Sequence, residues 1–349
     1  MKITKDLFAK LKGKSIYAYT LKNSHGMEVT CIDYGCIITK ILIPDVNGNT
    51  ENVVLGFDTL EDYQNYSPYF GAVCGRVAGR ISRGQFELNG KTYQLATNND
   101  NNHLHGGIEG FDKVVWSSRV IENEHEGSVI FTYLSKDSEE GYPGNLEVKV
   151  TYTLSEDNAF TITYEGETDK TTIVNLTNHT YFNLSGNAKR DILNHQLQLK
   201  SDQFIELNDE LLPTGEHLPV EGTPFDFREG RKIVDGSYSS HPQNQLAGEG
   251  YDHPFLLNEN NKEEIILIDE ESGRRLVIET DQPCVVLYTG TQLQDHFKIG
   301  QTESRKYLGL CLETQGVPDA INHPHFPSIV LEKGEKYFSQ TKYSFGFSN

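Results

Sequence analysis

The densest group of polar side chains in this sequence lies in the segment 175–186, which reads Asn-Leu-Thr-Asn-His-Thr-Tyr-Phe-Asn-Leu-Ser-Gly. Successive side chains of an extended chain point to opposite faces, so alternate residues of this segment share one face. That face carries Asn175, Thr177, His179, Tyr181 and Asn183. It offers many hydrogen-bond donors and acceptors and an aromatic ring, which favours a wall that binds sugar hydroxyls over a core. A solvated strand face explains the same pattern.

A second candidate is a glutamate at the end of an apolar strand. The segment 308–315 alternates, which places three leucines on one face and Gly309, Cys311 and Glu313 on the other. The small residues leave room in front of the carboxylate. A carboxylate at the end of a half-buried strand can have a shifted pKa and can serve as a base. The segment by itself equally fits an ordinary glutamate in water.

Two arginines form a third candidate. Arg76 and Arg80 occur in the sequence Gly-Arg-Val-Ala-Gly-Arg-Ile, where the small neighbours suggest that a guanidinium occupies a tight place. The guanidinium of an arginine can donate two hydrogen bonds to sugar oxygens or to a carboxylate, although a surface ion pair would use the same residue type. The glycines do not form a phosphate loop, because no Gly-Lys-Ser/Thr follows them.

The sequence also contains two His-x-His triplets, His103/His105 and His323/His325. On a strand each pair would share a face, which makes a metal site conceivable. Both triplets lie in loop-like sequence, and no flanking carboxylate or cysteine completes a ligand set, so we predict no metal site. Asp252, which lies between aromatic residues, is by itself a turn aspartate before a strand.

A period of two dominates the segments that must position these residues. Apolar residues take every second place in 146–154, and 160–164 alternates in the same way, which indicates strands with one face on a core. Further strands are predicted at 128–134, 195–199, 264–268, 274–279, 284–289 and 328–331.

Turn residues indicate hairpins between some of the strands. Asn89-Gly90 interrupts the alternating segment 86–95, and Asn47-Gly48 interrupts the apolar segments within 41–55. Asn-Gly suits a two-residue hairpin because both central residues need positive φ.

A helical period is scarce. Asp6–Lys14 and Thr59–Tyr66 could each form a short helix, with Asp6 and Thr59 as N-caps. We find no fixed-period repeat and no linker rich in proline or serine. The sequence therefore predicts an all-β protein with few short helices: one large antiparallel structure, a sandwich or a barrel, in a single domain over 1–349.

The charge and the cysteines bear on partners and compartment. Lys and Arg number 31 against 50 Asp and Glu, a net charge of −19, which argues against nucleic acid and against membrane surfaces as partners. The five cysteines have no metal or redox spacing, which fits free thiols in a reducing compartment. No signal peptide pattern and no apolar run of membrane length is present, so we expect a cytoplasmic protein.

Six motifs, in this order and over nearly the whole chain, resemble those of the aldose 1-epimerases, also called galactose mutarotases. They are Asn52-Val-Val-Leu-Gly-Phe57, Tyr69-Phe-Gly-Ala-Val73 with Gly75-Arg-Val-Ala78, Leu104-His-Gly-Gly107 with Gly110-Phe-Asp-Lys113, the segment 175–184, Asp252-His-Pro-Phe255, and Cys311-Leu-Glu-Thr-Gln315. The resemblance implies the fold of that family, a large twisted β-sandwich with a sugar cleft on one sheet.

The resemblance also implies roles for individual residues. His179 is similar to the general acid of the family and Glu313 to its general base. The residues similar to those that hold the sugar are Arg80, His105, Tyr181 and Asp252. Two positions depart from the pattern. Gly79 stands where many relatives have Asn, and Val286 occupies a place where some have Gln, which bears on sugar preference.

The implied reaction interconverts the α and β anomers of a free hexose such as galactose or glucose. A base takes the proton of the C1 hydroxyl while an acid protonates the ring oxygen, and closure of the ring reverses both steps. A carboxylate and an imidazolium supply these groups, and the reaction needs no cofactor or metal. The expected partner is a monosaccharide, and the expected assembly is a monomer or a homodimer.

Three alternatives remain open. A hexose-phosphate 1-epimerase would share the acid and the base and add a basic cluster for the phosphate, which the motifs lack. A glycosidase could pair Asp252 with Glu313. A non-catalytic carbohydrate-binding protein of the same fold would keep the polar and aromatic wall without needing both His179 and Glu313.

Overall fold

Antiparallel strands form the framework of the protein, whose computed structural model describes residues 1–348. The largest sheet has nine strands. In spatial order they are Ser117–Glu122, Glu126–Ser135, Leu146–Ser155, Ala159–Thr168, Lys336–Phe347, Arg274–Thr280, Ile265–Asp269, Gln196–Leu199 and Arg231–Lys232.

Two further sheets complete the main layers. A six-stranded sheet has the spatial order Tyr181–Phe182, Leu310–Gln315, Cys284–Tyr288, Asp252–Leu256, Gln203–Leu207 and Pro213–Pro219. A five-stranded sheet follows chain order, with strands Lys2–Leu11, Lys14–Lys22, Glu28–Ile32, Ile38–Pro44 and Thr50–Asn52.

Short elements connect these sheets. Five two-stranded ladders pair His103–Leu104 with Arg80–Ile81, Thr172–Ile173 with Val330–Leu331, Thr177–Asn178 with Val73–Cys74, Lys298–Ile299 with Thr302–Glu303, and Gln85–Leu88 with Lys91–Gln94. The α-helices are Leu60–Tyr66, Val234–Ser237 and Pro242–Leu246, and the 3₁₀ turns are Ser82–Gly84, Phe111–Lys113, Glu139–Gly141 and Ala320–Asn322. None of the helices within residues 1–348 combines the length and the apolar composition that crossing a bilayer requires.

One apolar cluster joins the three large sheets. It contains Val29 of the five-stranded sheet, Val150 of the nine-stranded sheet, and Leu287 and Leu312 of the six-stranded sheet, all nearly inaccessible to solvent. In Leu146–Ser155 burial alternates along the strand, because every second side chain enters this core. The predicted all-β antiparallel sandwich with few short helices is confirmed.

The two helix predictions have opposite outcomes. Leu60–Tyr66 is helical, and Thr59 caps it by accepting the N–H of Asp62 at 3.1 Å. The prediction for Asp6–Lys14 is wrong, because this segment forms most of strand Lys2–Leu11 and the turn after it. Pairing with the next strand through a left-handed Lys12-Gly13 turn overrides the helix propensity of the leucines, alanine and lysines in this segment.

The two Asn-Gly dipeptides also differ. Asn89 and Gly90 have φ of 52° and 72°, and they close the hairpin of Gln85–Leu88 and Lys91–Gln94 as predicted. Asn47-Gly48 lies in a longer loop, in which Asp45 Oδ1 accepts the N–H groups of Asn47 and Asn49 at 2.8 Å.

Candidate active site

The six-stranded sheet forms the floor of a cleft that is lined by both apolar and polar side chains, as is common at small-molecule sites. The six residues proposed from the sequence, which are Arg80, His105, His179, Tyr181, Asp252 and Glu313, all line this cleft. The structure therefore brings together side chains that are up to 233 positions apart in the chain.

Glu313 lies at the bottom of the cleft, where its side chain is 4% exposed. Its strand is paired on one side with Tyr181–Phe182 and on the other with Cys284–Tyr288. Among the described residues, no group donates a hydrogen bond to Oε2. Burial raises the pKa of this carboxyl well above its ordinary value, and the charge of Asp252 raises it further, while Arg80 opposes the shift.

His179 faces Glu313, with Nε2 at 3.4 Å from Oε1. The backbone of His179 is held by hydrogen bonds with Ala72 and Gly71 in the break between two short strands. The rings of Tyr69 and Tyr181 lie near the imidazole, with centroids at 5.6 and 5.1 Å and interplanar angles of 29° and 31°. Burial lowers the pKa of His179 to about 4.

The Glu313 carboxyl and the His179 ring therefore have opposed pKa shifts with the same main cause, which is burial. Burial disfavours the anion of one and the cation of the other, so the free cleft favours the neutral pair. The sequence argument assumed carboxylate and imidazolium, which hold the same number of protons. The two arrangements differ by one transfer across the 3.4 Å between Nε2 and Oε1.

His105 stands beside this pair. It has a left-handed φ of 49°, and its Nδ1 accepts the N–H of Gly79 at 3.2 Å. A neutral imidazole that accepts at Nδ1 carries its proton on Nε2, so the other nitrogen is a donor suited to a hydroxyl. Burial, followed by the neighbouring His179 and Arg80, lowers the pKa of His105 well below its ordinary value.

The ligand atoms of His105, His179 and Glu313 lie within 4.8 Å of one another, as in a three-ligand metal site. The hydrogen bond from Gly79 makes His105 a poor ligand, because Nδ1 is already an acceptor and Nε2 bears the proton. The donor set therefore fits a sugar hydroxyl better than a divalent cation.

Arg80 and Asp252 form the other wall of the cleft. Their side chains are 14% and 15% exposed, and Arg80 Nη1 lies 3.9 Å from Asp252 Oδ2. Arg80 Nε donates to Asn99 Oδ1 at 2.9 Å, which orients the fork of the guanidinium. Burial raises the pKa of Asp252 to about 6, and Arg80 opposes the rise.

Several polar residues in the segments that the sequence singled out stabilise the fold and do not line the cleft. Arg76 is 1% exposed, and its guanidinium donates to the carbonyls of Pro143 and Gly144. The polar face of 175–183 is not one sugar-binding wall, because three of its members are buried and hydrogen-bonded to backbone groups. These are Asn175 with Gly316, Thr177 with Thr314, and Asn183 with Leu308. His179 and Tyr181 alone line the cleft from that face.

The His-x-His triplets do not act as pairs. His103 is held by Ala96 O at 2.7 Å and Tyr142 Oη at 2.6 Å, whereas His105 turns into the cleft. His325 contacts Gly215 O, and His323 Nε2 lies 3.7 Å from Asp319.

Sequence reasoning missed other cleft residues. Gln315 lies two positions after Glu313, so strand alternation alone could have placed both on one face. Tyr69 belongs to a quoted motif, but its left-handed φ of 65° was not readable from the sequence. The remaining cleft residues that were missed lie on loops and strand ends that are distant in the chain from the quoted motifs. They are Leu207, Leu211, Pro213, Tyr288 and Gln292.

Gly79 and Val286, the two positions expected from the sequence to depart from the family pattern, both line the cleft. Gly79 has a φ of +76°, and a Cβ there would lie 2.8 Å from Pro318 Cβ, so a side chain at this position would be strained and would require Pro318 to shift. Val286 is the direct cross-strand partner of Glu313.

Comparisons with known proteins find relatives of this chain over nearly its whole length. A family model described as aldose 1-epimerase matches residues 17–344. Galactose mutarotase of Sus scrofa is 43% identical over 326 residues, 92% of this chain and 92% of that protein. Aldose 1-epimerase of Escherichia coli K12 is 35% identical over 338 residues, 95% of this chain and 96% of that protein. The crystal structure of galactose 1-epimerase from Lactobacillus acidophilus NCFM has a TM-score of 0.89 at 31% identity, covering 100% of this chain and 99% of that chain.

Proposed function

The chain belongs to the aldose 1-epimerase family and is an isomerase, and from this premise we propose its substrate and the roles of its residues. The substrate is a free hexose such as galactose or glucose, whose α and β anomers it interconverts. Glu313 is the general base and His179 the general acid. The observation that carries the proposal is the buried pair itself, with Nε2 and Oε1 3.4 Å apart in a cleft that Arg80, His105 and Asp252 also line.

Ring opening starts from carboxylate and imidazolium. Glu313 takes the proton of the C1 hydroxyl, the C1–O5 bond breaks, and O5 receives the proton of His179. The products are the open-chain aldehyde, a neutral glutamic acid and a neutral imidazole. After rotation about C1–C2, His179 takes the proton of the C5 hydroxyl, O5 attacks C1, and Glu313 protonates the former carbonyl oxygen.

The neutral pair that burial favours is thus the state from which the ring closes. A shift of one proton from Glu313 to His179 restores the state that opens a ring. Relative to the free side chains, the opposed pKa shifts of the two groups favour the neutral state.

The remaining cleft residues hold the sugar. Arg80 donates to sugar oxygens and stabilises negative charge that develops on them. Asp252 accepts from hydroxyls, and Nε2–H of His105 donates to one. Tyr181 covers an apolar face of the ring.

The charge of the cleft favours a free sugar over a sugar phosphate. Arg80 is the only lysine or arginine among the described residues that line it, and the Asp252 carboxylate offsets its charge. A phosphate dianion would meet two carboxyl groups and one guanidinium, whereas phosphate sites usually converge several cations.

Polarimetry on freshly dissolved α anomers tests the proposal. The panel contains galactose, glucose, xylose and arabinose, two hexose 6-phosphates, and methyl glycosides as compounds that cannot mutarotate. We expect acceleration with free sugars alone. Faster turnover of the phosphates, or release of sugar from the glycosides, would overturn the proposed substrate class.

We further propose that residues 1–349 act as one domain in the cytoplasm, as a monomer or a homodimer. The apolar cluster that joins the three sheets supports one domain, and the five free, buried cysteines are compatible with a reducing compartment. Light scattering on the purified protein measures the oligomeric state.

A further inference from the structure

Gln315 ends the strand Leu310–Gln315 and lines the cleft, but the proposed acid–base reaction does not use it. Its side chain lies on the same face as that of Glu313, because the two residues are two positions apart on one strand. Gln315 is 1% exposed, and no group among the described residues donates a hydrogen bond to its Oε1. Glu313 Oε2 lacks a donor in the same way. One strand therefore brings two unpartnered oxygens to the cleft, on residues about 7 Å apart.

A buried acceptor without a donor is rare in a folded protein, because it has lost its hydrogen bonds to water and gained none. Within residues 1–348, only Glu313 and Gln315 combine such an unpartnered side-chain atom with a place in the wall of the cleft. A ligand in the cleft can supply the missing donor. The hydroxyl groups of a sugar are donors of this kind.

We propose that Gln315 is a sugar-binding residue, whose side-chain amide binds a hydroxyl group of the sugar other than the anomeric one. This inference rests on the proposed function, because it takes a free sugar as the ligand of the cleft. The amide oxygen accepts from the hydroxyl, and the amide NH2 is a donor for the same group or for its neighbour. The amide is neutral, so the contact leaves the charge of the cleft unchanged.

The register of the six-stranded sheet places Gln315 and Asp252 on opposite sides of the reacting carboxyl. Glu313 is the partner of Val286, and Val286 is the partner of Pro254, so these three residues form one row across the floor of the cleft. Asp252 lies two positions before Pro254, on one side of this row, and Gln315 lies two positions after Glu313, on the other side. The sugar is thus held from both sides of the group that reacts at C1.

The backbone around Gln315 is fixed by side chains of the polar segment 175–177. Asn175 Oδ1 accepts the N–H of Gly316 at 2.8 Å, and its Nδ2 donates to the carbonyl of Gly316 at 3.1 Å. Thr177 Oγ1 donates to the carbonyl of Thr314 at 3.0 Å. The residues before and after Gln315 are both held, so the strand presents the amide in a preorganised position, which reduces the entropy lost on binding.

A hydroxyl that does not react keeps its hydrogen bond while the ring opens and closes. Loss of the Gln315 amide should therefore weaken the ground state and the transition state alike. Such a loss raises Kd and KM and changes kcat little. Loss of the acid or the base would instead lower kcat.

The first test compares Gln315→Met with the control Gln340→Met by titration with galactose and by polarimetry. Gln340 is an exposed residue of strand Lys336–Phe347 and lies outside the cleft. We expect Gln315→Met to raise Kd and KM about 3- to 10-fold with kcat near the wild-type value, the scale of one neutral hydrogen bond. The control should keep the wild-type constants. An unchanged Kd in Gln315→Met would overturn the proposal.

Thermal unfolding without sugar separates binding from a structural role. Gln315→Met should melt at or above the Tm of the wild type, because methionine removes an acceptor that has no partner in the free protein. An amide that stabilised the fold would give the reverse pattern, a lower Tm with an unchanged Kd. That pattern would contradict the sugar contact.

Galactose analogues that each lack one hydroxyl, at C2, C3, C4 or C6, identify the group that Gln315 binds. For one analogue the wild type and Gln315→Met should have the same Kd, because the partner of the amide is absent from the ligand. A loss of affinity that is equal for galactose and for all four analogues would exclude a direct contact.

Spectra of the wild-type protein report the contact even if Gln315→Met does not fold. The ¹H–¹⁵N signals of the Gln315 side-chain amide, assigned with the nearly isosteric Gln315→Glu, should shift when galactose saturates the cleft. Signals that stay in place at saturation would overturn the proposal.

The outcomes also separate this inference from the proposed function. If the wild type neither binds nor interconverts any of the free sugars, the proposed function fails, and the sugar contact of Gln315 fails with it. If the wild type is active while Gln315→Met keeps the wild-type Kd and KM, the role of Gln315 alone fails.

Discussion

Val286 and Glu313 are direct partners in the antiparallel ladder between Cys284–Tyr288 and Leu310–Gln315. Val286 is 7% exposed and lines the cleft beside the carboxyl group. An apolar neighbour cannot solvate an anion, so it contributes to the burial that raises the pKa of Glu313. The apolar side chain of Val286 therefore favours the protonated form of the Glu313 carboxyl.

We predict that Val286→Gln moves the alkaline limb of the kcat/KM profile to lower pH. The amide can donate a hydrogen bond to the Glu313 carboxylate and draws water to it, and both effects lower its pKa. Val286→Leu keeps the side chain apolar and is the matched control, for which no shift is expected. A profile of Val286→Gln that overlays that of Val286→Leu would exclude Val286 as a cause of the raised pKa.

We predict two acid steps in the wild-type kcat/KM profile, neither at the ordinary histidine value of 6.5. As the pH falls, Asp252 takes up a proton near pH 6 and weakens its hold on the sugar and on Arg80. The pair of His179 and Glu313 takes up its second proton only near pH 4. The raised pKa of Glu313 moves the alkaline limb of the profile to higher pH, because at that limb the pair of His179 and Glu313 loses its remaining exchangeable proton.

Asp252→Asn separates the two acid steps. The variant should lose activity through KM, and its kcat/KM profile should lack the step near pH 6. A step near 6.5 that persists in Asp252→Asn would assign it to an imidazole of ordinary pKa and contradict the neutral pair.

We predict that Glu313→Gln lowers kcat at least about 100-fold, because the amide cannot accept a proton at neutral pH. The same variant should be more stable than the wild type in alkaline solution. The folded pKa of Glu313 lies above its unfolded value, so its contribution to stability is complete below about pH 4.5 and is lost as the pH rises. Glutamine does not ionise, so the difference in Tm should be near zero at pH 4 and grow toward pH 8.

The control for this comparison is Glu216→Gln, an exposed glutamate in strand Pro213–Pro219. Its Tm difference should not depend on pH in the same way. If Glu313→Gln melted below the wild type throughout, the buried carboxyl would be stabilising and its proposed environment would be wrong.

The sequence predicted the framework where one local rule decides the structure. Alternation gave the strand at 146–154, and Asn89-Gly90 gave its hairpin, because period and turn geometry are local properties. The segment Asp6–Lys14 failed because pairing with Lys14–Lys22 decides its conformation, and helix propensity does not encode that partner.

The residues of the cleft likewise divide into those that local sequence identifies and those that depend on distant partners. His179 and Glu313 could be proposed because their motifs are contiguous and resemble a known family. Asn175 and Thr177 were misassigned because the partners that bury them, the backbone at Gly316 and Thr314, come from a distant strand. The contact between Cys311 and His179 likewise exists only after folding.

We predict that activity survives exhaustive chelation. His105 would have to give up the N–H of Gly79 to offer Nε2 to a cation, so its cluster with His179 and Glu313 is poorly suited to metal. Dialysis against EDTA, metal analysis of the dialysed protein and polarimetry check this. Lost activity that one added divalent ion restores would show that the three residues act as metal ligands.

We predict that His179→Asn lowers mainly kcat, whereas Arg80→Ala also weakens sugar binding. Asparagine keeps a hydrogen-bonding group but has no transferable proton, so the loss falls on the transition state. Arg80 lies in the wall of the cleft with its fork oriented by Asn99, and the sugar contacts proposed for it hold in ground and transition states alike. Truncation of a charged donor costs about 1.5–3 kcal/mol, or roughly 10- to 150-fold in affinity.

Arg80→Lys is the matched variant for this comparison, because it keeps the charge and removes the fork. We expect its affinity to lie between those of the wild type and Arg80→Ala. Direct titration with galactose gives the Kd of each variant, which KM need not equal. The proposed division of labour would be reversed if His179→Asn raised Kd while Arg80→Ala left it unchanged, since His179 would then hold the sugar and Arg80 would act on the reacting atoms.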